Sequence, residues 1–248
     1  MKISCQCVTY GRVDLLEESI ACFLNQTYSD RELIILNTFP DQTLIFDHPQ
    51  VKITNLAERP RSLGEARNMC VNLCTGEWIT CWDDDNFFLP RQLEMFKSAV
   101  VSDHLMWARL DKMFYAEQYQ ISEIVSGEAN LFMFNRKAFD ATDGYPSKTC
   151  GEDRSLNNEI RAAFPGEIIN PKDEDITHVY SWGNDVFHAS GKGDEGESTA
   201  HQDMEADIRK KIRDKLIPTG EILLKPEIKH DIEEQCIRFV DRRKKENE

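Results

Sequence analysis

The strongest constraint on the fold of this chain is the alternation, over its first hundred residues, of short apolar segments with longer segments whose apolar residues recur at helical spacing. Four segments have the length and composition of buried strands: residues 3–9, 32–36, 51–54 and 77–82. Helix-like segments begin near Asp14, Ser62 and Pro90. Since parallel neighbours need crossover connections, this order predicts a mostly parallel α/β sheet flanked by helices on both faces.

The second half of the chain is less regular. Strands are predicted at 105–114, 130–135 and 177–182, and helices at 152–162, 206–216 and 228–240. The segment 183–196 holds four glycines among polar residues, which predicts a mobile loop that could act as a lid. We therefore expect one α/β domain over residues 1–200, in two halves of about a hundred residues each, and a helical C-terminal extension at 201–248.

Polar residues follow three of the predicted strands. Tyr10 and Asn37 come after the first and second strands, and Asp83, Asp84 and Asp85 come after the fourth. In open α/β sheets ligands bind outside the carboxyl ends of the strands, so these residues are candidates for a binding site. Three adjacent carboxylates are costly to ionise together unless a cation compensates them, and hard oxygen ligands suit Mg²⁺ or Mn²⁺. The alternative is a polar turn with an aspartate helix cap.

A second acidic pair, Glu152 and Asp153, begins the helix predicted at 152–162. A helix N-terminus stabilises carboxylates, so the pair could serve only as caps; a carboxylate close to a substrate hydroxyl would instead act as a general base. Of the six histidines, His188 lies in the glycine-rich segment, where a loop imidazole could complete a metal site once substrate arrives. The other histidines are expected at the surface or in packing roles.

Composition limits the classes of partner. The 248 residues are 40% hydrophobic and 30% charged, as in a globular protein, and the formal charge is −14. Residues 1–208 carry −17 and residues 209–248 carry +3, so binding to nucleic acid is disfavoured. The basic tail at 241–245 could touch a phosphate surface, or it could be a solvated helix end.

The eight cysteines contain no CxxC pair. Cys70 and Cys74 lie four residues apart and could share a metal, but packing as small apolar residues is the better interpretation. No apolar run approaches the roughly 18 to 20 residues of a membrane span, and the N-terminus has no signal-peptide pattern. A cytoplasmic protein is therefore expected, with contact to a membrane surface left open.

Taken together, these motifs resemble those of the family-2 glycosyltransferases. The resemblance covers about residues 3–165 and rests on five segments in the family's order: 9–12 (Thr-Tyr-Gly-Arg), 24–28 (Leu-Asn-Gln-Thr-Tyr), 66–68 (Ala-Arg-Asn) with 75–79, 82–85 (Trp-Asp-Asp-Asp) with 89–90, and 151–153 (Gly-Glu-Asp). It implies the GT-A fold, in which a Rossmann-like nucleotide-sugar half of about residues 1–100 is followed by a more variable acceptor half of about residues 101–200.

The resemblance also implies roles for individual residues. Those implied to bind the nucleotide sugar are Thr9, Tyr10, Arg12, Arg67, Asp83 and Asp84. The implied ligands of Mn²⁺ or Mg²⁺ are Asp85, Asp83 and His188. Asp153 matches the catalytic base of inverting members, and Glu152 lies beside it for the acceptor.

One position departs from the family pattern. Members usually place an acidic residue after the second strand to bind the nucleobase, whereas this chain has Asn37, whose amide both donates and accepts. The predicted function is a metal-dependent transfer of a sugar from a nucleoside-diphosphate sugar to an unassigned acceptor hydroxyl, with inversion. A nucleotidyltransferase on a similar sheet and a non-catalytic nucleotide-sugar-binding protein remain as alternatives.

Overall fold

A computed structural model describes residues 1–126, 131–182, 210, 211, 214 and 216–246. The strands are β1 (Ile3–Thr9), β2 (Arg31–Asn37), β3 (Gln42–Ile45), β4 (Val51–Asn55), β5 (Trp78–Cys81), β6 (Phe87–Phe88), β7 (Trp107–Leu110), β8 (Lys112–Glu117), β9 (Gln120–Ser126), β10 (Phe132–Asn135), β11 (Gly166–Ile169), β12 (His178–Trp182) and β13 (Gly220–Leu223). The helices are α1 (Val13–Leu24), α2 (Leu63–Leu73), α3 (Gln92–Ala99), α4 (Arg136–Asp140), α5 (Glu152–Ala163) and α6 (Ile232–Glu246), with a 3-10 turn at Asp173–Asp175.

The main sheet has seven strands in the order β11-β7-β10-β5-β1-β2-β4. β1 pairs in parallel with both β2 and β5, β2 pairs in parallel with β4, and β10 is antiparallel to its two neighbours. The chain moves outward from β1 through β2 to β4 and then returns to the other side of β1 with β5. Loops leaving β1 and β5 therefore diverge, and this switch point is where such sheets bind ligands.

Helices cover both faces of this sheet. Leu33 and Ile35 of β2 belong to the same buried cluster as Leu16 of α1, while Ile34 and Leu36 of the same strand belong to a second cluster that includes α2 and α5. Successive side chains of a strand point to opposite faces, so a continuous apolar strand needs cover on both sides. The predicted mostly parallel sheet with helices on both faces is confirmed.

Cys70 and Cys74 pack in the second cluster, in agreement with the prediction that they pack as small apolar residues. Burial raises the pKa of the Cys70 thiol to about 12, and its Sγ donates to the carbonyl oxygen of Ile34 at 3.4 Å. A protonated, buried thiol is a packing group rather than a metal ligand.

A second sheet has four strands, in the order β6-β12-β8-β9. The single strand predicted at 105–114 is in fact two strands, β7 in the main sheet and β8 in the second sheet. The chain changes sheets at Asp111, whose N–H donates to the carbonyl oxygen of Ile169 at 2.8 Å. The apolar pattern continues through the change, because both strands bury side chains.

The C-terminal extension contains a strand as well as a helix. β13 pairs in parallel with β3, and α6 begins at Ile232, four residues later than the sequence predicts, and packs against β9. The buried carboxylate of Glu18 accepts from the N–H groups of Lys229 and His230, at 2.9 and 2.8 Å, and so ties the extension to α1. The boundary at residue 200 stays a prediction.

Several expectations fall on the part of the chain that the structure does not describe. The lid at 183–196 and His188 lie outside the described residues, as does most of the helix predicted at 206–216. Within the described ranges, no helix is both long and apolar enough to cross a membrane.

His178, at the start of β12, gives a pH-dependent prediction. Its ring is buried 5.2 Å from that of Phe88, and burial lowers its pKa to about 4, although the charge of Asp83 opposes the shift. The imidazole of the unfolded chain takes up a proton near pH 6.5, whereas that of the folded chain does so only near pH 4. The free energy of unfolding therefore decreases as the pH is lowered through this window, by up to roughly 3 kcal/mol.

The variant His178→Phe keeps an aromatic ring at this position and removes the group that takes up the proton. Between pH 7 and pH 4.5 its free energy of unfolding should therefore decrease by about 2 to 3 kcal/mol less than that of the wild type. Denaturant titrations at the two pH values measure this difference. The matched control is His104→Phe at an exposed loop position, which should behave as the wild type. An unchanged pH dependence in His178→Phe contradicts the assignment.

Candidate active site

The loop that leaves β5 is tied to the end of β1 by a buried carboxylate. Asp84 accepts from Thr9 Oγ1 at 2.6 Å and from Arg12 Nε at 3.2 Å, and it forms an ion pair with Arg12 Nη2. Its side chain is fully buried. Asp84 therefore holds the two diverging loops together at the switch point of the sheet.

The neighbouring carboxylates are more accessible. The Asp83 side chain is 35% exposed and that of Asp85 is 12% exposed, and Asp85 Oδ2 lies 3.0 Å from Arg12 Nη1. Burial raises the pKa of the Asp84 carboxyl to about 6, with Arg12 opposing the rise and the charges of Asp85 and Asp83 adding to it. The loop thus carries more negative charge than Arg12 compensates.

Arg67 of α2 joins this loop to the start of α5. Its Nη2 donates to Asp83 Oδ1 at 3.1 Å, and its Nε donates to Glu152 Oε1 at 2.9 Å. Burial opposes ionisation of Asp83, but Arg67 and the Cys81 thiol outweigh that effect and hold the pKa of this carboxyl below its ordinary value. α2 can come this close to the loop before α5 because Gly64 has no Cβ, which would lie 1.9 Å from the carbonyl oxygen of Pro146.

Two residues of this cluster carried no signal in the sequence. The Cys81 thiol accepts from Arg67 Nη1 and donates to Asp83 Oδ1 at 3.1 Å. The buried ring of Tyr145 lies 5.9 Å from the Arg67 guanidinium. Neither residue belongs to a motif, and Tyr145 comes from a loop far along the chain, so only the folded arrangement reveals them.

The two carboxylates at the start of α5 have different surroundings. Gly151 has a φ of +71°, a backbone conformation that is strained for a residue with a side chain. The helix begins directly after it with Glu152 and Asp153. Glu152 is buried, and burial raises its pKa, with Arg67 opposing and Asp153 adding to the shift. Asp153 is half-buried, and its Oδ1 accepts from the N–H of Arg154 at 2.6 Å. One oxygen of Asp153 thus meets a helix N–H, as a cap would.

On the other side of β1, aromatic and cationic side chains meet. Phe39, after β2, contacts the Tyr10 ring edge-on with centroids 5.0 Å apart, and the Cζ of Arg59, in the loop after β4, lies 4.1 Å from the centroid of the Tyr10 ring. Sequence reasoning missed Arg59, because it follows a weak strand and belongs to no motif.

The surroundings of Asn37 differ from those that base binding requires. The side chain is fully buried, its Nδ2 donates to the carbonyl oxygen of Gln42 and to Asn55 Oδ1, both at 3.0 Å, and its Oδ1 accepts from the N–H of Phe39 at 3.1 Å. The amide supports the loop after β2 instead of facing an open surface. Of the residues that the sequence predicts for the site, the structure brings together Thr9, Arg12, Arg67, Asp83, Asp84, Asp85, Glu152 and Asp153. Asn37 is instead buried beneath the loop that follows β2.

The donor set suits a hard divalent cation. Among the described residues, no group of three or more His, Cys, Asp and Glu side chains is arranged to hold a metal ion. Asp83 and Asp85 nevertheless present partly exposed carboxylates, in a loop whose three carboxylates are paired with two arginines, Arg12 and Arg67. Mg²⁺ and Mn²⁺ commonly need only one or two protein carboxylates, since water and substrate phosphates complete the coordination. The residues present fit such an ion.

A family model and a curated relative both match this chain, and both are glycosyltransferases. The family model described as "Glycosyl transferase family 2" matches residues 5–143, more than half of the chain. The protein named "Uncharacterized glycosyltransferase YwdF", from Bacillus subtilis (strain 168), is 26% identical over 190 residues, which cover 73% of this chain and 66% of that protein.

Solved structures share the fold. TarS 1–349 of S. aureus in complex with UDP-GlcNAc superposes with a TM-score of 0.59 and 13% identity, covering 73% of this chain and 59% of that one. The mannosyltransferase PcManGT of Pyrobaculum calidifontis, in complex with GDP-Man and Mn²⁺, gives a TM-score of 0.56 and 17% identity, covering 85% and 64%. The chain thus matches about three fifths to two thirds of the length of these relatives.

Proposed function

The chain belongs to glycosyl transferase family 2 and has the GT-A fold of its structural neighbours, and from this premise we propose that it transfers a sugar from a nucleoside-diphosphate sugar to an acceptor hydroxyl. The observation that carries the proposal is the position of Arg67. One guanidinium bridges Asp83 of the loop after β5 and Glu152 at the start of α5. This contact supports the proposal, because it holds the loop after β5 close to the start of α5, where Glu152 is followed by Asp153.

The donor is proposed to lie across the ends of β1 and β5. Thr9, Tyr10 and Arg12 line its nucleotide side, with Arg12 and Asp84 setting the distance between the two loops. Asp85 and Asp83 would hold Mn²⁺ or Mg²⁺. When bound there, a divalent cation supplies Lewis-acid neutralisation of the charge that develops on the departing diphosphate. His188 stays a prediction as a third ligand.

Asp153 is proposed as the general base. It takes the proton of the acceptor hydroxyl while that oxygen forms a bond to the anomeric carbon, on the face opposite the departing nucleoside diphosphate. The bond between the anomeric carbon and the phosphate oxygen breaks in the same step, so the configuration inverts. Glu152 is held by Arg67, so it positions the start of α5 beside the acceptor.

The two alternatives account for less of the site. A nucleotidyltransferase needs a glycine-rich basic phosphate loop after β1, where this chain has Gly11 and Arg12, and Arg12 is already paired with Asp84 and Asp85. A non-catalytic binding protein has no use for Asp153. The negative charge of residues 1–208 continues to disfavour a nucleic-acid acceptor.

Slow hydrolysis of a nucleotide-sugar panel tests the proposal without knowledge of the acceptor. We expect at least one UDP- or GDP-linked sugar to raise the melting temperature in Mn²⁺ and to be hydrolysed there, with little hydrolysis in EDTA. The comparison reaction contains a sugar 1-phosphate and a nucleoside triphosphate. Release of pyrophosphate from that mixture would support the nucleotidyltransferase instead, and donor binding with no hydrolysis or transfer would support the binding protein.

A further inference from the structure

One face of the second sheet carries an aromatic surface made of Tyr115, Tyr180 and Trp182. Tyr180 and Trp182 lie two residues apart on β12 and so point to the same face, and Tyr115 of β8 lies opposite Tyr180. The ring centroids of Tyr115 and Tyr180 are 6.0 Å apart and those of Tyr180 and Trp182 are 6.3 Å apart, with interplanar angles of 28° and 24°. All three side chains are half-buried, so each keeps an accessible part.

The aromatic surface begins beside the acidic loop after β5. The N–H of Ser181, between the two aromatic residues of β12, donates to Asn86 Oδ1 at 3.1 Å, and Asn86 directly follows the three aspartates. His178 lies two residues before Tyr180, on the same face of β12, and the charge of Asp83 acts on its ring. The aromatic surface therefore extends outward from the loop at which the donor is proposed to bind.

Two carboxylates border the aromatic surface. Glu117 of β8 lies opposite Trp182, and Glu123 of β9 lies opposite Tyr115. Both glutamates are exposed, and partial burial together with their charges raises the pKa of the Tyr115 phenol. Carboxylate oxygens accept hydrogen bonds from hydroxyl groups. Aromatic rings and hydroxyl-binding oxygens thus lie side by side on one face of the sheet.

This combination fits the ring of a sugar better than other molecules that carry a hydroxyl group. One face of a pyranose presents C–H groups, which are attracted to the negative face of an aromatic ring, while its hydroxyls extend sideways to polar partners. A nucleobase also stacks on aromatic rings, but the two glutamates and the charge of −17 on residues 1–208 repel the phosphates of a nucleic acid. An extended peptide offers no comparable flat apolar face.

We infer that the acceptor of the proposed transfer is a carbohydrate, and that one of its pyranose rings lies on Tyr180 and Trp182. The inference rests on the proposed function. Glu117, opposite Trp182, accepts hydrogen bonds from the hydroxyls of the bound ring. Because this ring is not at the reacting bond, its contacts contribute about equally to the ground state and the transition state.

Saturation-transfer NMR with the methyl glycosides of glucose, galactose, mannose and N-acetylglucosamine tests the inference, with glycerol as a probe that has hydroxyls but no ring. At least one glycoside, and not glycerol, should receive saturation mainly at the C–H groups of one ring face. Trp182→Leu keeps an apolar side chain but removes the aromatic face, so it should weaken binding of that glycoside roughly 3- to 10-fold. Trp182→Phe keeps an aromatic face and should retain most of the affinity.

The matched control is Phe46→Leu, which removes a half-buried aromatic ring directly after β3 and should change neither glycoside nor nucleotide affinity. Calorimetry of Trp182→Leu with UDP and GDP in Mn²⁺ should give affinities within about twofold of the wild type, which also shows that the variant is folded. With a donor that is turned over, the loss in Trp182→Leu should appear in KM for the glycoside rather than in kcat.

Four results would overturn the inference. Glycoside binding that is unchanged in Trp182→Leu is one, and glycerol binding as strong as that of every glycoside is another. A single-stranded DNA oligonucleotide that binds the wild type and loses affinity in Trp182→Leu would assign the surface to nucleobases instead. A protein that hydrolyses a nucleotide sugar but binds none of the glycosides overturns the inference and leaves the proposed function intact. By contrast, a protein that binds no nucleoside diphosphate refutes the proposed function itself, and this inference with it.

Discussion

Replacing Asp153 by Asn is expected to lower turnover by roughly 10² to 10⁴ while donor affinity stays within a few fold of the wild type. A base that acts only while the acceptor attacks contributes to the transition state and little to donor binding. The amide keeps the shape of the carboxylate but cannot take a proton. Single-turnover transfer and calorimetry with the donor nucleotide measure the two quantities.

Folding should not confound this result. Asp153 Oδ1 accepts from the N–H of Arg154, and asparagine makes the same kind of bond, since both residues cap helices well. The matched control is Glu159→Gln, an exposed carboxylate on the same helix, which should retain full turnover and melting temperature. An Asp153→Asn variant with more than about a tenth of wild-type transfer would show that Asp153 is only a cap. The base would then be sought at Glu152.

Asp85→Ala should abolish the dependence of nucleotide binding on a divalent metal and lower turnover by roughly 10² to 10³, the usual cost of losing one electrostatic contact to the developing charge. Asp85 is preferred to Asp84, which is fully buried and committed to Thr9 and Arg12. Calorimetry with a nucleoside diphosphate in Mn²⁺ and in EDTA gives the readout.

The control for this experiment is Asp47→Ala, which removes an exposed carboxylate after β3 and should keep the difference between Mn²⁺ and EDTA. Equal affinity of the wild type in the two conditions would refute the metal assignment. A metal dependence that survives in Asp85→Ala would move the ligand to Asp83, the other accessible carboxylate of the loop.

The sequence was most informative where a segment is long and regularly patterned. α5 begins at Glu152 as predicted, because glycine, two acidic residues and a periodic apolar face all specify the same start. β3 and β13 were missed, because each has four residues and its partner lies far away in the chain, with Gln42 opposite Gly220. Pairing over such a distance leaves little trace in local composition.

The site divides in the same way. The position of Asp83, Asp84 and Asp85 at a strand end was readable from the chain, since an apolar strand followed by three carboxylates is a local pattern. The different environments of these three carboxylates could not be read from the sequence. Burial and the approach of Arg12, more than seventy residues earlier, make Asp84 the structural member of the three.

By itself, the sequence determined the alternation of strands and helices, the acidic loop after β5, the carboxylate pair at the start of α5 and the family of the chain. Each of these is a pattern of residues that are neighbours in the sequence. Only the tertiary structure decided that Arg67 joins Asp83 to Glu152, that Asn37 turns inward and that Arg59 covers Tyr10. These contacts depend on the order of strands in the sheet, because that order determines which residues from distant segments come into contact. Local pattern carries no record of that order, since the same strand and helix signals are compatible with several arrangements.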